Sequence, residues 1–243
     1  MRIESGTPKA RRSPAAATRT EQGSIVSAWL TDLQYRWADM LQGARTRHFA
    51  KDETLFLEGQ PANHVFVIEE GRVRLTSFAF DGHERHLLIV GPNGLVGDCA
   101  LPATPRYVVS AVAATETQVA MVPAGRMLAA LARHPALATQ QRALSGLRFR
   151  IMLRHVAMQG SNSGRRKVCM HLHDLMHSYG APHRLGTAIS IYFTQQEMGN
   201  ICGLSRVSVS QLFSQLEREE VIMRTGRQVV VLDAARLQQL SRS

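Results

Sequence analysis

Apolar positions follow three different spacings along this chain, and each spacing predicts a different kind of element. Ile25, Trp29, Leu33, Trp37 and Leu41 recur every fourth residue, which predicts one amphipathic helix over residues 24–42. From residue 45 the spacing changes to two. Strands are expected at residues 53–57, 65–68, 72–78 and 86–90, with two more inside 108–122. Turn sequences separate them at Glu58-Gly59-Gln60-Pro61, Asp81-Gly82 and Pro92-Asn93-Gly94. Many short strands between Gly and Pro turns indicate a small barrel or sandwich.

The third spacing is seven. Leu137, Leu144, Ile151 and Met158 repeat at that interval, with Leu147 three residues after Leu144. A strict seven-residue repeat marks a helix seam that packs against a second helix, so these five residues are the expected homodimer interface. A helix lying on its own barrel is the alternative. Residues 160–164 then form a Gly- and Ser-containing break, read as a hinge. A new helix starts at Arg165 with Val168, Leu172, Leu175 and Met176 on its apolar side. Four regions follow from this pattern: a tail at 1–22, a strand-rich unit at 23–133, a long helix at 134–159 and a carboxy-terminal unit at 160–243. The fold class is α+β.

Within the last unit, residues 189–193 read as a strand. Thr194 with Glu197 three residues later is a capping box, which starts a helix over residues 195–202. Gly203 supplies the left-handed backbone that stops it, and Ser205 caps a second helix buried through Val209, Leu212, Phe213 and Leu216. Gly199 provides room where the two helices cross. Gly199, Gly203, Val209 and the two caps together specify a helix-turn-helix. The exposed side of its second helix carries Arg206, Val207, Ser208 and Gln211. In a major groove, Arg206 would form a fork to guanine O6 and N7, Gln211 would reach adenine or a phosphate, and Val207 would meet a thymine methyl. Thr194, Gln195 and Ser208 are the expected phosphate contacts, and Gln196 and Ser205 complete the expected DNA-binding set. Residues 220–232 read as two strands around Gly226, a wing that places Arg224 and Arg227 near the backbone.

Charge supports a polyanionic partner. Lys and Arg number 29 against 19 Asp and Glu, a formal net charge of +10. Part of that excess lies in an Ala-, Ser- and Pro-rich start with Arg2, Lys9, Arg11, Arg12 and Arg19, which reads as disordered and lacks the apolar core of a secretory signal. No run of about eighteen apolar residues occurs, so no membrane span is expected. Cys99, Cys169 and Cys202 are odd in number and widely separated, which fits reduced thiols in a cytoplasmic setting. Cys202 is read as a small core residue, with a redox role as the alternative. Among the 10 histidines, His173 and His177 share a helix face while His171 points elsewhere, so surface or interface residues and a metal or haem site both stay open. His83 and His86 stand three apart, on opposite faces of a strand, and miss the His-x-His spacing of a metal-binding barrel. Neither a nucleophile-base constellation nor a phosphate-binding glycine loop is present, so no enzyme is expected and no cofactor is identified.

After its tail, the chain resembles the Crp/Fnr family of bacterial transcription regulators. The segments that carry the resemblance are Glu58-Gly-Gln-Pro-Ala62, His64-Val-Phe-Val-Ile68, Gly71-Arg-Val-Arg-Leu75, Val96-Gly97-Asp98, the helix after His134-Pro135, and Phe193-Thr-Gln-Gln-Glu-Met-Gly199 with Ser205-Arg206. The resemblance implies a cyclic-nucleotide-binding-like β-roll, a long dimer helix and a winged helix-turn-helix. It also implies a homodimer on a pseudo-palindromic DNA operator, contact with RNA polymerase, and an effector that adjusts DNA affinity. Its effector pocket falls on Gly97, Asp98, Arg106, Tyr107, Met152 and Leu153. Cyclic-AMP-binding members have a Gly-Glu pair for the ribose, an Arg-Ser pair for the phosphate and a Thr-Ser pair for the adenine. Here the equivalents are Gly97-Asp98, Arg106-Tyr107 and Met152-Leu153. Cyclic AMP is therefore not the expected effector, and the small molecule is unknown. The Arg-Glu pair of the cyclic-AMP activator's recognition helix is Arg206-Val207, which implies a different operator. The competing readings are an effector-independent member of the family and a metal-dependent barrel enzyme with a helical docking domain.

Overall fold

A computed structural model describes residues 27–78, 84–101, 106–159 and 163–242. The strands of the first half form two open sheets, as a roll requires. One has the order β1 (Trp29–Leu30), β6 (Glu84–Val90), β5 (Val73–Phe78), β8 (Ser110–Ala113), β3 (Thr54–Phe56). The other has the order β2 (Arg45–Phe49), β9 (Thr117–Pro123), β4 (His64–Glu70), β7 (Leu95–Val96). All pairings are antiparallel except β1 with β6. Alternating side chains from both sheets share one core, in which Phe56 of β3 stacks on Phe66 of β4 with centroids 5.5 Å apart. The strands expected from alternation are all present. Asp81-Gly82 lies outside the described residues, although β5 and β6 pair antiparallel on either side of it. The basic tail and most of the 160–164 break also lie outside them.

The helix expected over residues 24–42 does not form in its described part, residues 27–42. Trp29 and Leu30 instead pair with Ile89 and Val90, Asp32 has a φ of 53°, and only Ala38–Leu41 (α1) is helical. Burial shows why. Leu33, Tyr35 and Trp37 are buried while Asp32, Gln34 and Arg36 are exposed, the alternation of an extended chain. A spacing of four is two periods of a strand as well as about one turn of a helix, so the sequence pattern fits both. Tertiary hydrogen bonds decide: Trp37 Nε1 donates to Asn93 O at 2.8 Å, and the Gln140 side chain bonds both the N–H and the C=O of Arg36, each at 2.9 Å.

Two helices follow the roll. α2 (Ala124–Arg133), which the spacing analysis did not separate, docks through Met127 and Ala130. α3 (Pro135–Gln159) is the long helix. Its seven-residue stripe turns inward: Leu137, Leu144, Leu147, Ile151 and Met158 are all buried within one chain. These five therefore belong to the chain's own core rather than to an open seam. Burying each such side chain contributes roughly 1.5–3 kcal/mol, far more than an exposed ion pair, so the seam goes to the nearest apolar surface. The opposite face leaves Phe149 (64%), Leu153 (53%) and Val156 (66%) exposed.

The carboxy-terminal unit begins with α4 (Gly164–Tyr179), capped by Ser163 Oγ on Arg166 N. A four-stranded sheet, β10 (Gly180–His183), β11 (Gly186–Ile189), β13 (Gln228–Val231), β12 (Ile222–Thr225), surrounds α5 (Gln195–Cys202) and α6 (Arg206–Arg218) in sequence, and α7 (Ala234–Arg242) packs on α4. The strand expected at 189–193 is displaced to Gly186–Ile189. Ser190 N–H and Oγ–H both donate to Tyr179 O, at 2.8 and 2.7 Å, which bends the chain away from the sheet.

Candidate nucleic-acid interface

The helix-turn-helix forms where the local signals place it. Thr194 Oγ1 accepts from Glu197 N at 3.0 Å, and Thr194 N donates to Glu197 Oε2 at 2.7 Å, a complete capping box at the start of α5. Gly203 ends that helix with φ 69°. At Gly199, a Cβ would lie 2.7 Å from the Leu204 carbonyl oxygen, so only glycine lets α5 approach the start of α6 this closely. Ser205 caps α6 by accepting from Ser208 N at 3.0 Å, and Val209, Phe213 and Leu216 are buried beneath it.

The outer side of α6 presents Arg206, Val207 and Gln211, all exposed. Val207 is an apolar side chain that is 66% accessible. Arg206 lines a cleft of about 590 Å³ together with Thr194, Gln195, Gln196 and Arg227. Two expected contacts have other duties. Ser208 Oγ shares a hydrogen bond with Ser205 Oγ at 2.8 Å. Arg224 is drawn into the Glu217 carboxylate, and its Nη2 also donates to Ser214 Oγ at 3.3 Å. Hydrogen bonding from Arg224 holds the Glu217 carboxyl below its ordinary pKa, so the pair is ionised at neutral pH. Arg227 at the wing tip instead lies over Tyr192, 5.3 Å from the ring centroid.

Sequence spacing gave no signal for the groups that tie this unit to the roll. Arg72 reaches across with Nη1 to Tyr192 O at 2.8 Å and with Nη2 to Glu197 Oε1 at 3.1 Å. Glu197 therefore caps α5 and anchors it to the roll. Tyr179 OH donates to Trp29 O at 2.5 Å and accepts from Thr31 N at 3.1 Å. Trp29 packs against His171 and Phe193, at 6.1 and 5.5 Å. Asn200 Nδ2 lies 3.0 Å from His86 Nε2. Lys51, from the roll, lines the same cleft as Arg206.

Residues 46–134 match the model of the cyclic nucleotide-binding domain, and residues 166–240 match that of the Crp-like helix-turn-helix domain. The chain belongs to the Crp/Fnr family of transcription regulators. It is 28% identical over 196 residues to a global nitrogen regulator of Synechococcus elongatus, covering 79% of this chain and 87% of that protein. It is 24% identical over 194 residues to a CRP-like cAMP-activated global transcriptional regulator of Mycobacterium tuberculosis, covering 80% and 87%. A CRP-family regulator of Thermus thermophilus has a similar structure, with 28% identity and a TM-score of 0.61 over 81% of this chain and 97% of that one. FixK2 of Bradyrhizobium japonicum, at 22% identity, shares the fold with a TM-score of 0.69 over 82% and 98%. This Crp/Fnr protein is thus a DNA-binding transcription regulator rather than a member of an enzyme family, and no described helix is long and apolar enough to cross a membrane.

In this Crp/Fnr roll Asp98, Arg106 and Tyr107 of the expected effector residues are engaged with groups of α3 or of the roll itself. Asp98 is buried, accepts from Arg148 Nη1 at 2.6 Å and from Gln141 Nε2 at 3.3 Å. Arg148, itself buried, also donates to the Leu95 carbonyl. Tyr107 stacks on Phe56 with centroids 3.8 Å apart, and its hydroxyl donates to His64 O at 2.7 Å. Arg106 is exposed and donates to Gly59 O at 2.6 Å. Gly97 precedes Asp98 with φ 84°. Met152 is half-buried against the core, while Leu153 is among the exposed residues on the far face of α3. Among the described residues no cluster of three or more His, Cys, Asp or Glu is placed to hold a metal ion. Burial pushes the Cys169 and Cys202 thiols up to about 11 and about 12, which keeps both protonated and weakly reactive.

His86 makes the roll contact pH-sensitive. Burial lowers its pKa from 6.5 to about 4, against the opposing pull of Glu84. Nε2 must be unprotonated to accept from Asn200 Nδ2, so the contact belongs to the neutral ring. A depressed histidine pKa favours the fold fully above pH 6.5 and ever less as pH falls towards 4. His86→Gln keeps an acceptor without the titration. Its chemical unfolding at pH 7.5 and 4.5 should show the wild type losing about 1–3 kcal/mol more than the variant over that interval. Parallel losses would remove His86 from the pH response.

Proposed function

We propose that the chain acts as a homodimer in the bacterial cytoplasm, binding a pseudo-palindromic operator and adjusting transcription through contact with RNA polymerase. Its working parts are a sensory roll ending near residue 133, α3 as the dimer helix, and a winged helix-turn-helix from about residue 160. The observation that carries the DNA reading is the joint exposure of Arg206, Val207 and Gln211 beside Thr194, Gln195, Gln196 and Arg227. Arg206 reads a guanine and Val207 a thymine methyl, while Gln211 reaches adenine or phosphate. Thr194, Gln195, Gln196, Ser205, Ser208 and Arg227 hold the backbone, and Arg224 supports the wing through Glu217 while lying close to it.

The dimer seam is the outer face of α3. Arg142, Gly146, Phe149, Leu153 and Val156 are spaced alternately by four and three, the pattern of facing positions in a two-stranded coiled coil. Pairing along this seam removes the exposed Phe149, Leu153 and Val156 from water and places two recognition helices one DNA turn, about 34 Å, apart.

For the roll, the Asp98–Arg148 pair favours a reading in which cyclic AMP is not the effector. A buried carboxylate committed to the Arg148 guanidinium is drawn towards α3 and away from a ribose, and Tyr107 supplies no hydroxyl to a cyclic phosphate because its own is held by His64 O. Regulation without a nucleotide, or without any small molecule, follows.

Each part has its own test. On an operator selected from random duplexes, Arg206→Ala should weaken specific binding by about 1–3 kcal/mol, roughly 5- to 150-fold, and non-specific binding much less. Equal loss on both would deny it base readout. Leu153→Glu should sediment as a monomer and lose operator affinity; a dimer of unchanged strength would move the seam elsewhere. Calorimetry with cyclic AMP and cyclic GMP should show no binding heat, and a saturable isotherm from either would overturn the reading of the roll.

A further inference from the structure

We propose that His173 and His177 form a chelating site on the outer side of α4 for one transition-metal cation of the Zn²⁺, Ni²⁺ or Cu²⁺ class. The two residues are one helical turn apart, and their Nε2 atoms are 3.1 Å from each other with ring centroids at 4.3 Å. Two imidazole nitrogens each about 2.05 Å from a tetrahedral zinc lie roughly 3.3 Å apart, close to this separation, so an ion replaces the hydrogen bond that joins the two rings once they turn towards it. Two histidines at this spacing on one helix face are how helical zinc sites present a pair of ligands.

A second observation concerns the other side of the His173 ring. Its Nδ1 is buried without a hydrogen-bond partner and lies 3.8 Å from Asp174 Oδ1. An imidazole that binds metal through Nε2 carries its proton on Nδ1, and a carboxylate there fixes the tautomer and orientation. Asp174 is itself rigid: it accepts from Arg154 of α3 through Nε at 2.6 Å and Nη2 at 2.5 Å. At 3.8 Å the carboxylate stands beside the ring without a hydrogen bond to it, between Arg154 of α3 and the histidine pair. His177 is exposed, which leaves the remaining coordination positions to water. Nitrogen donors without oxygen ligands exclude Ca²⁺ and Mg²⁺ as occupants.

The test uses the untagged full-length protein, stripped with chelator and titrated calorimetrically with ZnCl₂ and NiCl₂. One ion per chain is expected, and His177→Ala or His173→Gln should each weaken it by about 10-fold or more. Electron paramagnetic resonance with one equivalent of Cu²⁺ should show two nitrogen donors in the wild type and one in His177→Ala. Both variants should keep the wild-type circular dichroism and DNA affinity, because neither ring touches α5 or α6 in the described contacts, so failure of this site and failure of the DNA reading are separate results. Equal metal affinity in wild type and both variants, or no uptake by the wild type below millimolar metal, would overturn the proposal.

Discussion

The DNA-reading unit depends on one close approach, the crossing of α5 with the start of α6 at Gly199. The absence of a Cβ there brings the Leu204 carbonyl within reach, and Leu204 N donates to Gly199 O at 2.8 Å, so the turn is held from both sides. That crossing fixes the direction of α6. With Val209, Phe213 and Leu216 committed to the core, the remaining face must carry Arg206, Val207 and Gln211 outward. Recognition chemistry is in this sense a consequence of packing: the side chains that read a groove are those the core does not take.

Glu197 joins this local geometry to the rest of the molecule. Its carboxylate closes the capping box with one oxygen and meets Arg72 of the roll with the other. A shift of the roll relative to α5 therefore has to break a contact to the residue that starts α5. His86–Asn200 and the Tyr179 hydroxyl on the residue 29–31 backbone add two further attachments along the same boundary. All three are polar, directional and short, the kind of contact that has discrete made and broken states rather than a continuous range.

The long helix serves two surfaces at once. Its inner stripe is buried within the chain while its outer stripe stays exposed, and Arg148 is buried on the inner side, paired with Asp98. A buried ion pair of this kind contributes little net stability, but removing either member strands the other charge, so the two residues are mutually required. The pair, with the Arg148 bond to the Leu95 carbonyl, ties β7 and the residue that follows it to α3.

The sequence by itself determined the elements whose signals are local. The capping box, the left-handed Gly203, the Ser205 cap, the wing around Gly226 and the alternation of the roll strands all involve groups within a few residues of each other, and each stands in the structure where it was read. Tertiary structure decided everything that has two partners to choose between. Residues 27–41 carry a spacing of four that suits helix and strand alike, and Asn93 and Gln140 made it extended. The seven-residue stripe of α3 states that a seam exists but not what fills it, and the roll took it because it is covalently near. Asp98, Arg148, Arg72 and Glu197 are 50 or more positions from their partners or lie on the other side of a domain boundary, so no periodicity announces them. Local hydrogen bonding and steric limits are written in neighbouring residues; the choice among competing apolar and charged partners is made only when the whole chain has folded.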